Sequence, residues 1–375
     1  MTTLTERVDS VLPLIADGAD AADADRKFPK RSIDALADAG LLGLTLSPEV
    51  GGLGATPLEF VDAVGKVAAQ CGSTSMIYLM HLSAANLVAA APPIGGEQIL
   101  ADLAAGTRLT TLAFSEKGSR SHFWAPVSKA TRTDAGVHID AQKSWVTSAS
   151  EADLYVATTL SPEAEGPTES NLYLIDRVAA GVKVAAGFDG LGMRANDSAP
   201  VHLDVDVDDD ARVGDEKAGF GLMMSVVLPW FSLGNAAVTL GLARSTLERA
   251  IQHASGAGFE HLGSTLADLP TIRAYLAKSW ADLTAHEAML RETARSVGSP
   301  DDGTMLAVLT TKAACNEAAL RITETALRVT GGAGFSKQVG IDRPYRDARA
   351  GFVMAPTSDA LFDFAGRALC GLDLF

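Results

Sequence analysis

Val201-His-Leu-Asp-Val-Asp-Val207 alternates apolar Val201, Leu203, Val205 and Val207 with His202, Asp204 and Asp206. A strict period of two puts the first set on a buried face and the second in water, the pattern of a half-buried β-strand. Residues 110–114, 137–146, 154–160 and 172–175 are likewise short, β-branched or alternating, and bounded by turn residues, so the middle third is read as β. Both flanks are helical in texture. Before residue 107, alanine-rich runs such as 32–39 and the helically spaced apolar residues of 57–70 are separated by Gly and Pro. After Gly214, helical stretches near 218–254, 266–297, 304–330 and 358–369 follow, with the clearest break at 298–303. Helices, then strands, then helices in sequence blocks predict segregated layers of an α+β fold rather than a βαβ sheet. The domain reading is 1–107 helical, 108–215 β, and 216–375 a second helical unit.

The 375 residues carry 31 Lys+Arg against 46 Asp+Glu, a formal net charge of −15, with 47% hydrophobic and 21% charged residues. That suits a chain with a large core and no long disordered tail. The acidic balance works against nucleic acid or an anionic lipid surface, both of which call for a basic face. Cys71, Cys315 and Cys370 form no CxxC pair and have no His at ligand spacing, so neither a zinc site nor a disulfide framework is indicated, and a reducing cytoplasm fits best. The N-terminus lacks the basic and apolar regions of a secretory signal. Two uncharged stretches, 72–96 and 218–243, are long enough to span a bilayer. Both are interrupted by Ser, Asn and Pro and read as helices buried on all sides, with no membrane partner expected.

Common chemical signatures are missing: there is no GxGxxG after a strand, no phosphate-loop GxxxxGK, no GxSxG elbow and no HExxH. The acidic run Asp204, Asp206, Asp208, Asp209 and Asp210 fails the calcium-loop spacing and reads as a solvated strand face and turn. No metal site is expected.

Four segments read together resemble the acyl-CoA dehydrogenase family. Gly40-Leu-Leu-Gly-Leu-Thr-Leu-Ser-Pro-Glu-Val-Gly-Gly-Leu-Gly54 is similar to its GLxGLxxPxxxGGLG signature. Leu112-Ala-Phe-Ser-Glu-Lys-Gly-Ser-Arg-Ser-His122 and Lys143-Ser-Trp-Val-Thr-Ser148 stand where the family has T-E-P-x-A-G-S-D and K-x-W-I-T-N. Thr330-Gly-Gly-Ala-Gly-Phe335 with Arg346-Asp347-Ala348, and Thr357-Ser358-Asp359, resemble GGxGF, RDA and a GTSE-like segment. The resemblance implies an N-terminal helical domain, a central β-barrel and a C-terminal four-helix bundle, assembled as a dimer or tetramer around FAD. It implies that Leu112, Phe114, Ser115 and Ser121 run along the flavin ring, Trp145 shields one ring face and the Thr147 hydroxyl bonds N5. It further implies that Arg328, Gly331, Gly332, Thr357 and Asp359 contact the cofactor, the glycines allowing close backbone approach to pyrophosphate.

Departures from the family concern proton handling. The family's reaction removes an α-proton with a carboxylate, while hydride leaves for the flavin. Its usual Glu is replaced by Ala355 in Met354-Ala355-Pro356-Thr357, and its rarer position on the helix after the barrel by Trp230 in Val227-Leu228-Pro229-Trp230-Phe231. An Arg of the family's cofactor motif is Phe259, and a Gln is Arg328, which still suits pyrophosphate. His122 beside Ser121 is the first replacement base because imidazole titrates near working pH; His81 is a weaker one. Three readings follow. The first is FAD-dependent α,β-oxidation of an acyl thioester or related small organic substrate with a non-standard base, passing electrons to an electron-transfer flavoprotein. The second is an O2-dependent monooxygenase whose flavin arrives reduced from a separate reductase, with Phe123, Trp124, Trp230 and Phe231 lining an aromatic pocket. The third is a catalytically silent partner subunit of a hetero-oligomeric dehydrogenase.

Overall fold

A computed structural model of the chain describes residues 3–119, 122–261 and 263–373. Five helices come first: α1 (Leu4–Asp25), α2 (Lys30–Asp38), α3 (Pro57–Gln70), α4 (Gly72–Ala90) and α5 (Gly96–Ala105). Local chemistry fixes their starts. Thr3 with Glu6, and Thr56 with Glu59, form reciprocal capping boxes at α1 and α3, and Pro57 occupies the first turn of α3, where its missing N–H goes unused. α4 is apolar all round and buried over nearly its whole length, as a helix enclosed by others must be.

Seven strands follow: β1 (Thr110–Ala113), β2 (Thr131–Arg132), β3 (Gly136–Val146), β4 (Leu154–Leu160), β5 (Ser170–Asp176), β6 (Val182–Val184) and β7 (Ala199–Asp208). The expected barrel takes the form of two sheets, ordered β1-β4-β5 and β2-β3-β7-β6. β1 runs parallel to β4 and the other pairs are antiparallel. The sheets share one core in which Tyr155, Tyr173 and Ile175 of the first meet Val137, Ile139, Val201, Leu203 and Val205 of the second. Between them, among the described residues, run isolated bridges such as Glu116 to Lys143 and Lys129 to Leu160, because β1 ends at Ala113 before its ladder can extend onto β3. The alternation of 201–207 is realised in the β3–β7 register, with Ile139 opposite Val205 and Ala141 opposite Leu203. The outward acids are partnered: His138 Nδ1 lies 2.9 Å from Asp206, and His202 Nε2 lies 3.0 Å from Asp140 across the ladder.

The last third is helical: α6 (Gly219–Leu222), a π-helical segment Met223–Val227, α7 (Leu228–Gly256), α8 (Pro270–Gly298), α9 (Thr304–Phe335), α10 (Asp342–Val353) and α11 (Ser358–Leu369). Among the described residues one helix, Gly219–Gly256, is long and apolar enough to cross a bilayer, and 83% of its apolar window is buried inside the fold. α7 packs on α3, α8 and α9, so a single core runs from the first helical block into the bundle.

Candidate active site

Two features of β3 create the site. Its ladder to β7 slips between Lys143 and Val146, and within that bulge Trp145 adopts φ 56° and stands 60% exposed instead of pairing. A bulge re-aims a side chain in this way. Directly before it, Lys143 is fully buried and its Nζ donates to Glu116 Oε1 at 2.6 Å and to the Thr158 hydroxyl at 3.1 Å. Glu116 also accepts from the Val127 and Ser128 amides, each at 2.8 Å, and from the Ser128 hydroxyl at 2.6 Å. Burial opposes its charge, but Lys143 and Ser128 outweigh burial and hold the carboxyl below its usual range. The Ser144 amide donates to Ser115 at 2.8 Å, so the segment after β1 and the end of β3 form one rigid edge.

That edge borders a cavity of about 610 Å3, within the range of small-molecule sites. Its β-side wall carries Leu112, Phe114, Ser115, Trp145 and Thr147; its bundle-side wall carries Val227, Phe231, Val353, Met354 and Ala355. The cavity thus gathers five of the residues expected at the flavin ring. Ser121, expected beside them, lies outside the described residues. A loop that sequence reading passed over completes the lining with Phe188, Gly190, Gly192, Met193, Arg194, Asn196 and Ser198. Phe188 stacks on Trp145 with ring centroids 3.8 Å apart. The Met193 amide donates to Asp347 at 2.6 Å, and a Cβ on Gly192 would come within 2.5 Å of the Arg346 carbonyl. The tight run Gly190-Leu-Gly-Met-Arg194 was the available signal: it reads as a turn pressed against another segment.

Other expected residues sit elsewhere. Trp230 faces away from the cavity and packs edge-on against Phe60, centroids 5.1 Å apart; Phe231 is the residue of that turn that reaches the lining. Phe123 lines the cavity, whereas Trp124 packs against Phe123 and Phe364. His122 is exposed, outside the lining, with its ring 5.2 Å from that of Trp124. His81 is fully buried: Nδ1 accepts from the Thr110 amide at 3.2 Å and Nε2 lies 3.1 Å from the Leu42 carbonyl, to which it donates. Burial pushes its pKa down to about 4, so it is a neutral strut with both nitrogens engaged. Arg328 lies exposed on α9 with its guanidinium 5.7 Å from the Tyr275 ring. Gly331 puts a kink into α9 at φ 54°, ψ −135°, and it and Gly332 face solvent. Thr357 caps α11 through the Ala360 amide, and Asp359 is exposed in its first turn. Phe259, expected from the resemblance to stand where the family has an Arg, pairs with Ser264 in a short hairpin.

The cavity fits a flat, polar-edged ring such as a flavin. It offers an aromatic face at Trp145, a hydroxyl at Thr147 within 3.4 Å of Ser198 Oγ, and strand-edge backbone from Leu112 to Ser115. It also holds an Arg194 Nε that is buried without a partner, a donor that a bound acceptor would satisfy. Glu116 is the one acidic side chain among the described residues that line the cavity, and it is committed to Lys143.

Comparisons with known proteins agree with this arrangement. Residues 9–107, 111–205 and 217–369 match the acyl-CoA dehydrogenase N-terminal, middle and C-terminal domains in turn. Cyclohex-1-ene-1-carbonyl-CoA dehydrogenase of Syntrophus aciditrophicus (strain SB) is 25% identical over 95% of this chain and 86% of its own. The structure of butyryl-CoA dehydrogenase from Megasphaera elsdenii superposes with a TM-score of 0.90 at 21% identity, covering 98% of this chain and 99% of that one. PigA with FAD and proline gives 0.90 at 16% identity, covering 99% and 98%. At those identities the two structures speak for the fold alone, but the three matched domains cover nearly the whole sequence. The chain belongs to the acyl-CoA dehydrogenase family of FAD-dependent oxidoreductases.

Proposed function

We propose that the chain holds FAD against the β-side wall of the cavity, at Leu112, Phe114, Ser115, Trp145 and Thr147, and oxidises a small apolar acyl thioester or related organic substrate lying on the bundle-side wall. One observation carries this reading: a single cavity has a strand-edge wall suited to the ring and, facing it, an apolar wall of Val227, Phe231, Met354 and Ala355. FAD supplies the hydride acceptor when bound. Arg328, Gly331, Gly332, Thr357 and Asp359 remain proposed contacts for the part of the cofactor outside the cavity.

The chain's own residues then do three things. Phe231, Met354 and Val227 exclude water from the reacting carbon and give an apolar chain or ring a surface to bury. Trp145, flat against Phe188, confines the ring plane. The proton that leaves the substrate goes to a group other than a carboxylate of this lining, since Ala355 holds the position of the family's acid and Glu116 is spent on Lys143. His122 is retained as the proposed base, in the loop that follows Glu116. Electron-transfer flavoprotein as acceptor, and assembly into a homo-oligomer, accompany this reading.

Anaerobic mixing of FAD-loaded protein with a panel of acyl-CoA esters tests it: the flavin visible band is expected to bleach with at least one ester. A protein shown to hold FAD that no ester bleaches overturns the dehydrogenase reading. The apolar bundle wall favours one second reading, an O2-dependent monooxygenase served by reduced flavin, because that chemistry removes no α-proton. Product formation dependent on NADH, a flavin reductase and O2 would support it.

A further inference from the structure

Beneath the bundle-side wall lies a buried polar ladder with no part in the chemistry above. Lys312, on α9, has no exposed surface. Its Nζ donates to the Met354 carbonyl at 3.1 Å and the Pro356 carbonyl at 2.7 Å, the two carbonyls that flank Ala355. One turn further along the same face of α9, Asn316 is also fully buried. Its Nδ2 donates to the Gly351 carbonyl at 3.0 Å and to Asn235 Oδ1 of α7 at 3.1 Å. Asn235 in turn extends its Nδ2 to the Met354 sulfur at 3.6 Å. Gly351 is required here, since a Cβ would overlap the Thr239 methyl and approach Asn316 Oδ1 to 2.6 Å.

Interior polar groups are unfavourable unless bonded, and here Asn316 Oδ1 stays without a partner, so an apolar side chain would fill the same space at less penalty. Burial alone pushes the Lys312 ammonium down to about 7. The compensation is local. α10 ends at Val353 and α11 begins at Ser358, so the Gly351 carbonyl in the last turn of α10 and those of Met354 and Pro356 beyond it lack helical partners, and the ladder supplies donors to them. That same stretch supplies Ala350, Val353, Met354 and Ala355 to the cavity.

We propose that Lys312, Asn316 and Asn235 are positioning residues that fix the 350–355 wall, so that the depth of the cavity at Ala355, and with it the size of substrate admitted, is set from inside the bundle. The inference rests on the reading that this cavity takes substrate. Its test has two arms on the FAD-loaded protein. In Lys312→Met, backbone amide exchange across 350–354 should quicken by roughly tenfold or more, while that of β3 and β7 stays as in the parent. With the ester that bleaches the flavin fastest, KM should rise about tenfold with kcat little changed, and Lys312→Gln, which keeps an amide donor, should recover part of both effects. Unchanged exchange at 350–354 in folded Lys312→Met protein overturns the proposal, and so does a fall in kcat at constant KM. Should that variant not fold, the parent protein decides: 350–354 must exchange as slowly as the middle of α9, and exchange at loop rates overturns the idea. If no ester bleaches the flavin, the functional reading has failed and the exchange arm alone decides this one.

Discussion

The two walls of the cavity are built from different materials. On the β side, Leu112, Ser115, Trp145 and Thr147 are held by strand ladders, a bulge and the buried Glu116–Lys143 pair, and they offer a ligand strand-edge backbone as well as the Trp145 ring and the Thr147 hydroxyl. On the bundle side, Val227, Phe231 and Ala355 offer only side chains projected from helices or from the stretch between two of them. Backbone groups at a strand edge keep their positions whatever side chains surround them. A helical surface has no chemistry beyond its side chains, so one replacement can remove a function outright. On the proposed reading, the contrast explains how a chain keeps a wall for the cofactor while Ala355 stands where an acid is expected.

The largest effect is expected from removing the base and supplying it from the other wall. His122→Ala should lower the rate of flavin reduction by an acyl-CoA ester by about a hundred- to ten-thousand-fold, read by anaerobic stopped-flow, and Ala355→Glu added to it should restore much of the loss; unchanged reduction in His122→Ala removes His122 as the base. On the β side, Glu116→Gln strands the fully buried Lys143 ammonium without a counter-charge. A loss of about 3–5 kcal/mol in urea unfolding should follow, and a loss below 1 kcal/mol would show that this edge is not held by charge.

A pH series separates two anchors of the same walls. His81 fastens the root of β1 and titrates in the fold near 4 against an ordinary 6.5. The unfolded chain takes its proton first, so this contribution to stability is lost as pH falls from 6.5 through 4. Asp347 fastens the Met193 loop and is raised by burial to about 6 against an ordinary 3.8. The folded chain keeps that proton longer, so its contribution is present below 3.8 and lost as pH rises through 6. Each amounts to about 3 kcal/mol in full, with opposite sign. Urea unfolding between pH 4 and pH 6 should therefore show little net slope from this pair in the parent. Stability should fall with acidification in Asp347→Asn and rise in His81→Gln, and parallel slopes in the two variants would refute the assignment. The smallest effect is expected at Trp145. Trp145→Leu removes one stacked face, worth about 1 kcal/mol, and FAD affinity by fluorescence titration should weaken several-fold; no change would move the ring away from this residue.

Sequence made the β side legible because strand periodicity and short motifs lie along contiguous residues. The alternation at 201–207 became the β7 register, and Leu112, Phe114, Ser115, Trp145 and Thr147 met in one cavity. The bundle side was harder for a geometric reason. Each helical residue turns the side-chain direction by about 100°, and the π-helical Met223–Val227 adds a residue to the turn just before α7, which shifts the phase of all that follows. Of Trp230 and Phe231, both expected at the pocket, Phe231 lines it and Trp230 packs on Phe60, and no periodicity in the sequence records that phase. The 187–198 loop escaped notice because its contacts, Met193 to Asp347 and Gly192 to Arg346, bridge segments some 150 residues apart. The division of the strands into two sheets likewise depended on where β1 stops, which composition does not mark.

One pairing seen in the fold also sets a timetable for its making. Asp20 and Asp23, near the end of α1, bind Arg343 and Arg346 of α10 at 2.8 Å and 2.6 Å, across a sequence separation of 323 residues. At synthesis rates of about 5–20 residues per second, the ribosome needs roughly 15–60 s after making those acids to deliver their arginines. Most of α1 can pack early, on α2 and α3 made just after it, whereas the acidic end of the helix waits those seconds in water for a partner not yet made.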